Sequence, residues 1–169
     1  LNEGINGNTV WQVIQRVDPI LACKPDIVIL MIGSNDAMGS FNEKSGLRYK
    51  RNNNLPEAPS FEKYKEQLAD LLGRLSDISK VAICTIPPLG ESKDSLANQH
   101  VEKFNEFIKS ISRINNIDLL PVYDLLWLDI DSRTYPLERD YNPNGIQLVK
   151  RIFGGIFHHY IFKKSWNQI

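Results

Sequence analysis

Two short stretches carry residues whose types and spacing can stabilise negative charge. Asn2, Gly4, Gly7 and Thr9 form the pattern N-x-G-x-x-G-x-T, with glycines where backbone N–H groups can approach a ligand and Thr9 placed to cap a helix. A helix N-terminus with exposed N–H groups favours anions, including the oxyanion that develops during acyl transfer. An ordinary glycine turn before a capped helix has the same pattern. Gly33, Ser34, Asn35 and Asp36 form a second pattern, G-x-N-D, directly after an apolar stretch. There Asn35 can donate its amide N–H into a site, and Asp36 can hold the turn by accepting backbone hydrogen bonds.

These loops need elements to carry them. Val10, Val13, Ile14, Val17 and Leu21 recur at helical spacing after Thr9, with Pro19 expected to bend or end that helix. Residues 26–33, DIVILMIG, are short, β-branched and apolar on both faces, which suits a central strand of a parallel sheet, with Gly33 to Asp36 as the turn at its end. Residues 39–60 show no sustained period and read as a long loop carrying the basic residues Arg48, Lys50 and Arg51. Ser60 can cap a helix with Phe61, Tyr64, Leu68, Leu71, Leu72 and Leu75 on one face, before a strand KVAICTI that ends at Pro87 and Pro88. A helix over 94–114 buries Val101, Phe104, Ile108 and Ile111, DLLPVYDLL supplies a third strand, RDYNPN is a loop, and a last helix runs over 144–162. Alternating helices and strands imply an α/β fold with a parallel sheet covered on both sides, and a site beyond the carboxyl ends of the strands.

The chain has 169 residues with 20 basic and 20 acidic side chains, enough for one globular domain over 1–169. Zero net charge gives no global field to recruit nucleic acid. The longest apolar run, Ile27 to Ile32, is far short of the roughly 20 residues that span a bilayer. The sequence reads as soluble, shows no targeting segment, and leaves its compartment open. Cys23 and Cys84 lie in apolar contexts without metal-type neighbours, so buried free thiols are expected, and neither a metal nor a cofactor is implied.

The two loop motifs, in this order and each beside a helix start or strand end, resemble blocks of the SGNH hydrolase family, also called the GDSL esterase/lipase family. PPLG after the second strand, Asn105 in the following helix and VYDLL before the last loop extend the resemblance over the chain. It implies a three-layer α/β/α fold with a parallel, flavodoxin-like sheet. It also assigns Gly7 and Asn35 to an oxyanion hole, supported by Asn2, Gly33 and Asp36, and implies a small-molecule ester or acylated carbohydrate as substrate.

The sequence departs from the family in two places. The G-D-S-L strand end that carries the family's serine, and the helix and strand after it, have no counterpart here. The chain is therefore read as N-terminally incomplete, with the 26–32 strand left unpaired on one edge and in need of an N-terminal segment or a partner. The family's last block reads D-x-x-H-P-N; aligned on Pro143 and Asn144, its Asp and His positions hold Arg139 and Asn142. Asn142 has no lone pair basic enough to take a serine proton, and Arg139 would oppose the imidazolium that the reaction creates. His158 and His159 lie about 24 Å farther along the last helix at 1.5 Å per residue. His100, near the start of its helix, is the substitute base to consider; a capping or surface histidine is the plainer reading. Ser34 is read as a structural hydroxyl. The basic cluster Arg48, Lys50 and Arg51 either receives an acidic or sugar-phosphate ligand or is a solvated loop.

Three functions follow. The first is a hydrolase of carboxylic esters whose serine lies outside this sequence. The second is a catalytically degenerate relative that binds or scaffolds. The third is a flavodoxin-like ligand-binding domain sharing topology alone.

Overall fold

A computed structural model describes residues 1–132. Helix α1 (Val10–Ile14) starts after Thr9, whose backbone N–H donates to Gln12 Oε1 at 3.0 Å. The expected single helix breaks at Arg16 and resumes as α2 (Val17–Ala22). Pro19 places this break ahead of itself: a continuous helix would need its missing N–H to reach the Gln15 carbonyl, whereas in a first turn no such bond is required.

Strands β1 (Ile27–Leu30), β2 (Lys80–Cys84) and β3 (Asp118–Leu120) form a parallel sheet in the order β1-β2-β3. Leu30 pairs with Ile83, and Ile83 with Leu119, so these residues share one face of the sheet. That face meets α1, α5 (Phe61–Ser76) and α6 (Leu96–Ile114) in one core of Val10, Leu68, Leu71, Leu75, Ile83, Phe104 and Ile108. Ser60 and Ser95 cap the two long helices by accepting from Lys63 N and Asn98 N.

Among the described residues β1 stands at one edge of the sheet, where the resemblance left the 26–32 strand unpaired, and Ile27, Ile29 and Met31 on its outer face are 62%, 67% and 62% exposed. The stretch 39–60 is not all loop: α4 (Glu43–Asn52) forms, with Asn42 capping by accepting from Ser45 N, Glu43 in the first turn and Lys50 and Arg51 in the last. It shows no apolar period because it packs through Gly46 and Tyr49 rather than through large aliphatic residues. VYDLL is not strand: Pro121 ends β3, and α7 (Val122–Asp131) starts there, with Tyr123 N donating to Thr85 Oγ1 at 2.9 Å. The turn at Gly33 leads into a further short helix, α3 (Ser34–Gly39). Cys84 is buried as expected, and burial pushes its thiol pKa up, but Cys23 is exposed at the end of α2. Arg139, Asn142, the last loop and the 144–162 helix lie outside the described residues.

Candidate functional site

Gly33 caps α3 with φ of 115°, and a Cβ there would lie 2.8 Å from Ile86 Cδ1 and 2.9 Å from the Tyr64 hydroxyl. Both the backbone conformation and the crowding require glycine. The sharp turn at the end of β1 sets Asn35 and Asp36 in the first turn of α3, opposite the loop that precedes α1.

Those two side chains stitch the loops together. Asn35 Nδ2 donates to the Asn8 carbonyl at 3.0 Å. The Asp36 carboxyl accepts from Val10 N at 3.3 and 3.2 Å, 26 residues back in the chain. Asp36 therefore holds α1 rather than only its own turn. Gly7, next to Asn8, has φ of 88° and open space where a side chain would stand, so its backbone faces no obstructing group there. Asn35 Nδ2 carries two hydrogens, and the Asn8 bond uses one. Asn2 makes a local turn instead, its Oδ1 accepting from Gly4 N at 2.9 Å.

Burial dominates the electrostatics under this turn. Asp36 is 3% exposed, and desolvation raises its pKa from 3.8 to about 7 against the opposing pull of the Val10 and Asp36 backbone N–H groups. Tyr64, 1% exposed, has no hydrogen-bond partner for its hydroxyl among the described residues; burial first and then the Asp36 charge hold its pKa well above 10.0.

Two further groups set the walls. Tyr49, on α4, donates its hydroxyl to Asn35 Oδ1 at 3.2 Å. At the end of β2, Asn105 accepts from Ile86 N at 2.7 Å and donates to Ile86 O at 3.0 Å. Nearer the start of α6, Asn98 accepts from Leu89 N at 2.8 Å and donates to Ser92 O at 2.7 Å. These amides fix the loop after β2 as a peptide partner would.

His100 sits at the opposite end of α3. Its Nε2 lies 3.0 Å from Ser40 Oγ, and its ring meets Phe41 and Phe104 edge-on. Burial, followed by the Lys103 charge, lowers its pKa from 6.5, so it is neutral near pH 7. Asn35 and Ser40 are five residues apart, about 7.5 Å along the helix. The structure thus ties Asn35 and Asp36, after the Gly33 turn, to the loop of Gly7 and Asn8, while His100 meets α3 farther along, at the Ala37 backbone and Ser40. Arg48 lines a small recess with Met38, Phe41 and His100.

Tyr49 and Asn98 were not legible as site residues. Asn98 had a usable signal: it lies seven residues before Asn105, on the same apolar face as Val101 and Ile108, where a buried amide calls for a backbone partner. Tyr49 had none, because α4 itself carries no apolar period. Among the described residues no group of His, Cys, Asp and Glu is placed to hold a metal ion, and no helix is long and apolar enough to cross a membrane.

A groove of about 450 Å³ runs beside β1, lined by residues that include Ile5, Val13, Ile20, Ile27, Ile29 and Leu71.

The model of the GDSL-like lipase/acylhydrolase family matches residues 1–148. No curated protein matches the chain. Among solved structures, Axe2, an acetylxylan esterase from Geobacillus stearothermophilus, matches with a TM-score of 0.67 at 20% identity, over 98% of this chain and 73% of that one. The acetyl xylan esterase AlAXEase matches with a TM-score of 0.63 at 20% identity, over 90% of this chain and 78% of its own. Catalytic mutants of Axe2 in which a serine, an aspartate or a histidine is changed to alanine match as well. At these identities the likeness is one of fold, an α/β fold with a parallel sheet.

Proposed function

Since the chain belongs to the GDSL-like lipase/acylhydrolase family, we propose that residues 1–169 form a single SGNH hydrolase domain that acts on carboxylic esters, with a serine nucleophile supplied from outside this sequence. Serine attack on the acyl carbon would form a tetrahedral oxyanion, and the Gly7 N–H and the second Nδ2 hydrogen of Asn35 would stabilise it. The observation that carries this reading is the Asn35–Asn8 bond, which presents the Asn35 amide nitrogen, rather than its oxygen, beside the Gly7 loop. Acetylxylan esterases share the fold, which supports a small acyl group on a carbohydrate as the substrate class.

We also read the groove beside β1 as the seat of one more strand, from an N-terminal segment or a partner. Support comes from the apolar outer face of Ile27, Ile29 and Met31 on an edge strand whose backbone is unpaired among the described residues.

A second reading, a degenerate relative that binds its ligand without turning it over, is favoured by one sequence fact: Arg139 and Asn142 stand where the family has its Asp and His. Ester hydrolysis, measured with 4-nitrophenyl acetate and acetylated xylo-oligosaccharides on the longest chain containing this sequence, separates the two. In an active chain, Asn35→Ala should lower kcat about 10²–10³-fold, as loss of one oxyanion donor does. Activity unchanged by both Asn35→Ala and His100→Ala would refute the site assignment. An inactive chain that gains turnover on Asn142→His with Arg139→Asp would establish the degenerate reading.

A further inference from the structure

We propose that Tyr49 is a positioning residue that holds and polarises the Asn35 amide whose nitrogen faces the reacting oxygen; the inference deepens the oxyanion reading above and rests on it. An asparagine amide helps an oxyanion only when its nitrogen faces the charge, and a half-turn about its last torsion would present Oδ1 and repel it. One contact opposes that flip and a second holds the amide in place. Nδ2 donates to the Asn8 carbonyl at 3.0 Å, and the Tyr49 hydroxyl donates to Oδ1 at 3.2 Å. In the flipped state Oδ1 would meet the Asn8 carbonyl and that bond would be lost, whereas the Tyr49 hydroxyl, which accepts as well as donates, would still pair with Nδ2. Donation to Oδ1 also polarises the amide and strengthens Nδ2 as a donor.

The fold is arranged to bring Tyr49 there. A Cβ on Gly39 would lie 3.2 Å from Tyr49 Cγ and 2.6 Å from Pro59 Cγ, and one on Gly46 would lie 3.3 Å from the Gly39 carbonyl. The two glycines let α4 close onto the end of α3 and deliver the Tyr49 ring along its side. Met38 Sδ, 3.6 Å from the same hydroxyl, is the competing acceptor, and a thioether is the weaker one.

The test uses the longest chain containing this sequence, ¹⁵N-labelled, and follows the two Asn35 Nδ2 protons by NMR with methylphosphonate as a tetrahedral oxyanion probe. Tyr49→Phe should shift these protons and speed their exchange with water while the backbone amides of α3 stay in place. It should also weaken methylphosphonate binding about fivefold, the effect of losing one orienting hydrogen bond. Met38→Leu, which removes the competing acceptor, should leave the Asn35 protons protected. Unchanged Asn35 protons in Tyr49→Phe would overturn the positioning role. Failure of methylphosphonate to perturb Asn35 or Gly7 in the wild-type chain would instead overturn the oxyanion reading. The two failures are read on separate signals.

Discussion

Replacing Asp36 by asparagine should make the protein more stable above neutral pH and should abolish one component of its pH dependence. Two forces act on this carboxyl in opposite directions. The Val10 N–H and the N-terminus of α1 favour the ionised form, but α1 is only five residues long and offers a small dipole. Burial favours the neutral form and wins, raising the pKa from 3.8 to about 7. Between those values the unfolded chain has released the proton and the native chain still holds it. Stability contributed by this group is therefore full below about pH 4, falls as pH rises, and levels off above about pH 7. At roughly 1.4 kcal/mol per pH unit, the loss across the window is about 4 kcal/mol.

The asparagine that replaces Asp36 would keep an oxygen to accept from Val10 N and would not ionise. Urea unfolding of both proteins from about pH 4 to about pH 8.5 should give curves that nearly coincide at the acidic end and diverge by about 4 kcal/mol at the alkaline end, the variant being the more stable. Taking the difference cancels the other carboxylates and His100, which titrate alike in both chains. A wild-type protein more stable than Asp36→Asn near pH 8 would refute the argument. It would mean that Asp36 is ionised in the fold and that the Val10 bond outweighs desolvation.

Asn105→Ala should cost about 2–5 kcal/mol in urea unfolding, because it strands the Ile86 N–H and carbonyl without a partner in a buried position. A loss well under about 1 kcal/mol would show that the loop after β2 has another support. Ile29→Lys, on the 67% exposed outer face of β1, should leave the stability of this chain within about 0.5 kcal/mol and reduce its self-association by light scattering. In a longer chain that supplies the proposed extra strand the same substitution should destabilise, and equal tolerance in both would argue against that seat.

What the sequence made legible follows from how much apolar surface each element buries. The 61–76 and 96–114 helices and the 80–84 strand announce themselves because Leu68, Leu71, Leu75, Val101, Phe104, Ile108 and Ile83 fill one core. Helix α4 stayed hidden because its packing face is Gly46 and Tyr49, which carry no hydrophobic period. VYDLL misled for the opposite reason: a short apolar run suits strand and helix equally, and Pro121, which lacks a ladder donor, decided it. At the site, Asn35 and Asp36 were readable as residue types, but their partners, Asn8 and Val10, are set by tertiary contact 27 and 26 residues away in the chain.

That distinction bears on why a chain with Arg139 and Asn142 in place of the family's Asp and His still ties the Asn8 and Asn35 loops together. Asp36 is part of the core and anchors α1, Gly33 is the one residue that fits beneath Tyr64 and Ile86, and the Asn35–Asn8 bond ties the same two loops. All three serve packing, whether or not an ester is ever cleaved. The second Nδ2 hydrogen of Asn35 and the Tyr49 bond that holds its amide are different, since neither is needed to close the core. A frame kept for folding would tolerate Tyr49→Phe without consequence for any bound oxyanion, and a frame kept for chemistry would not.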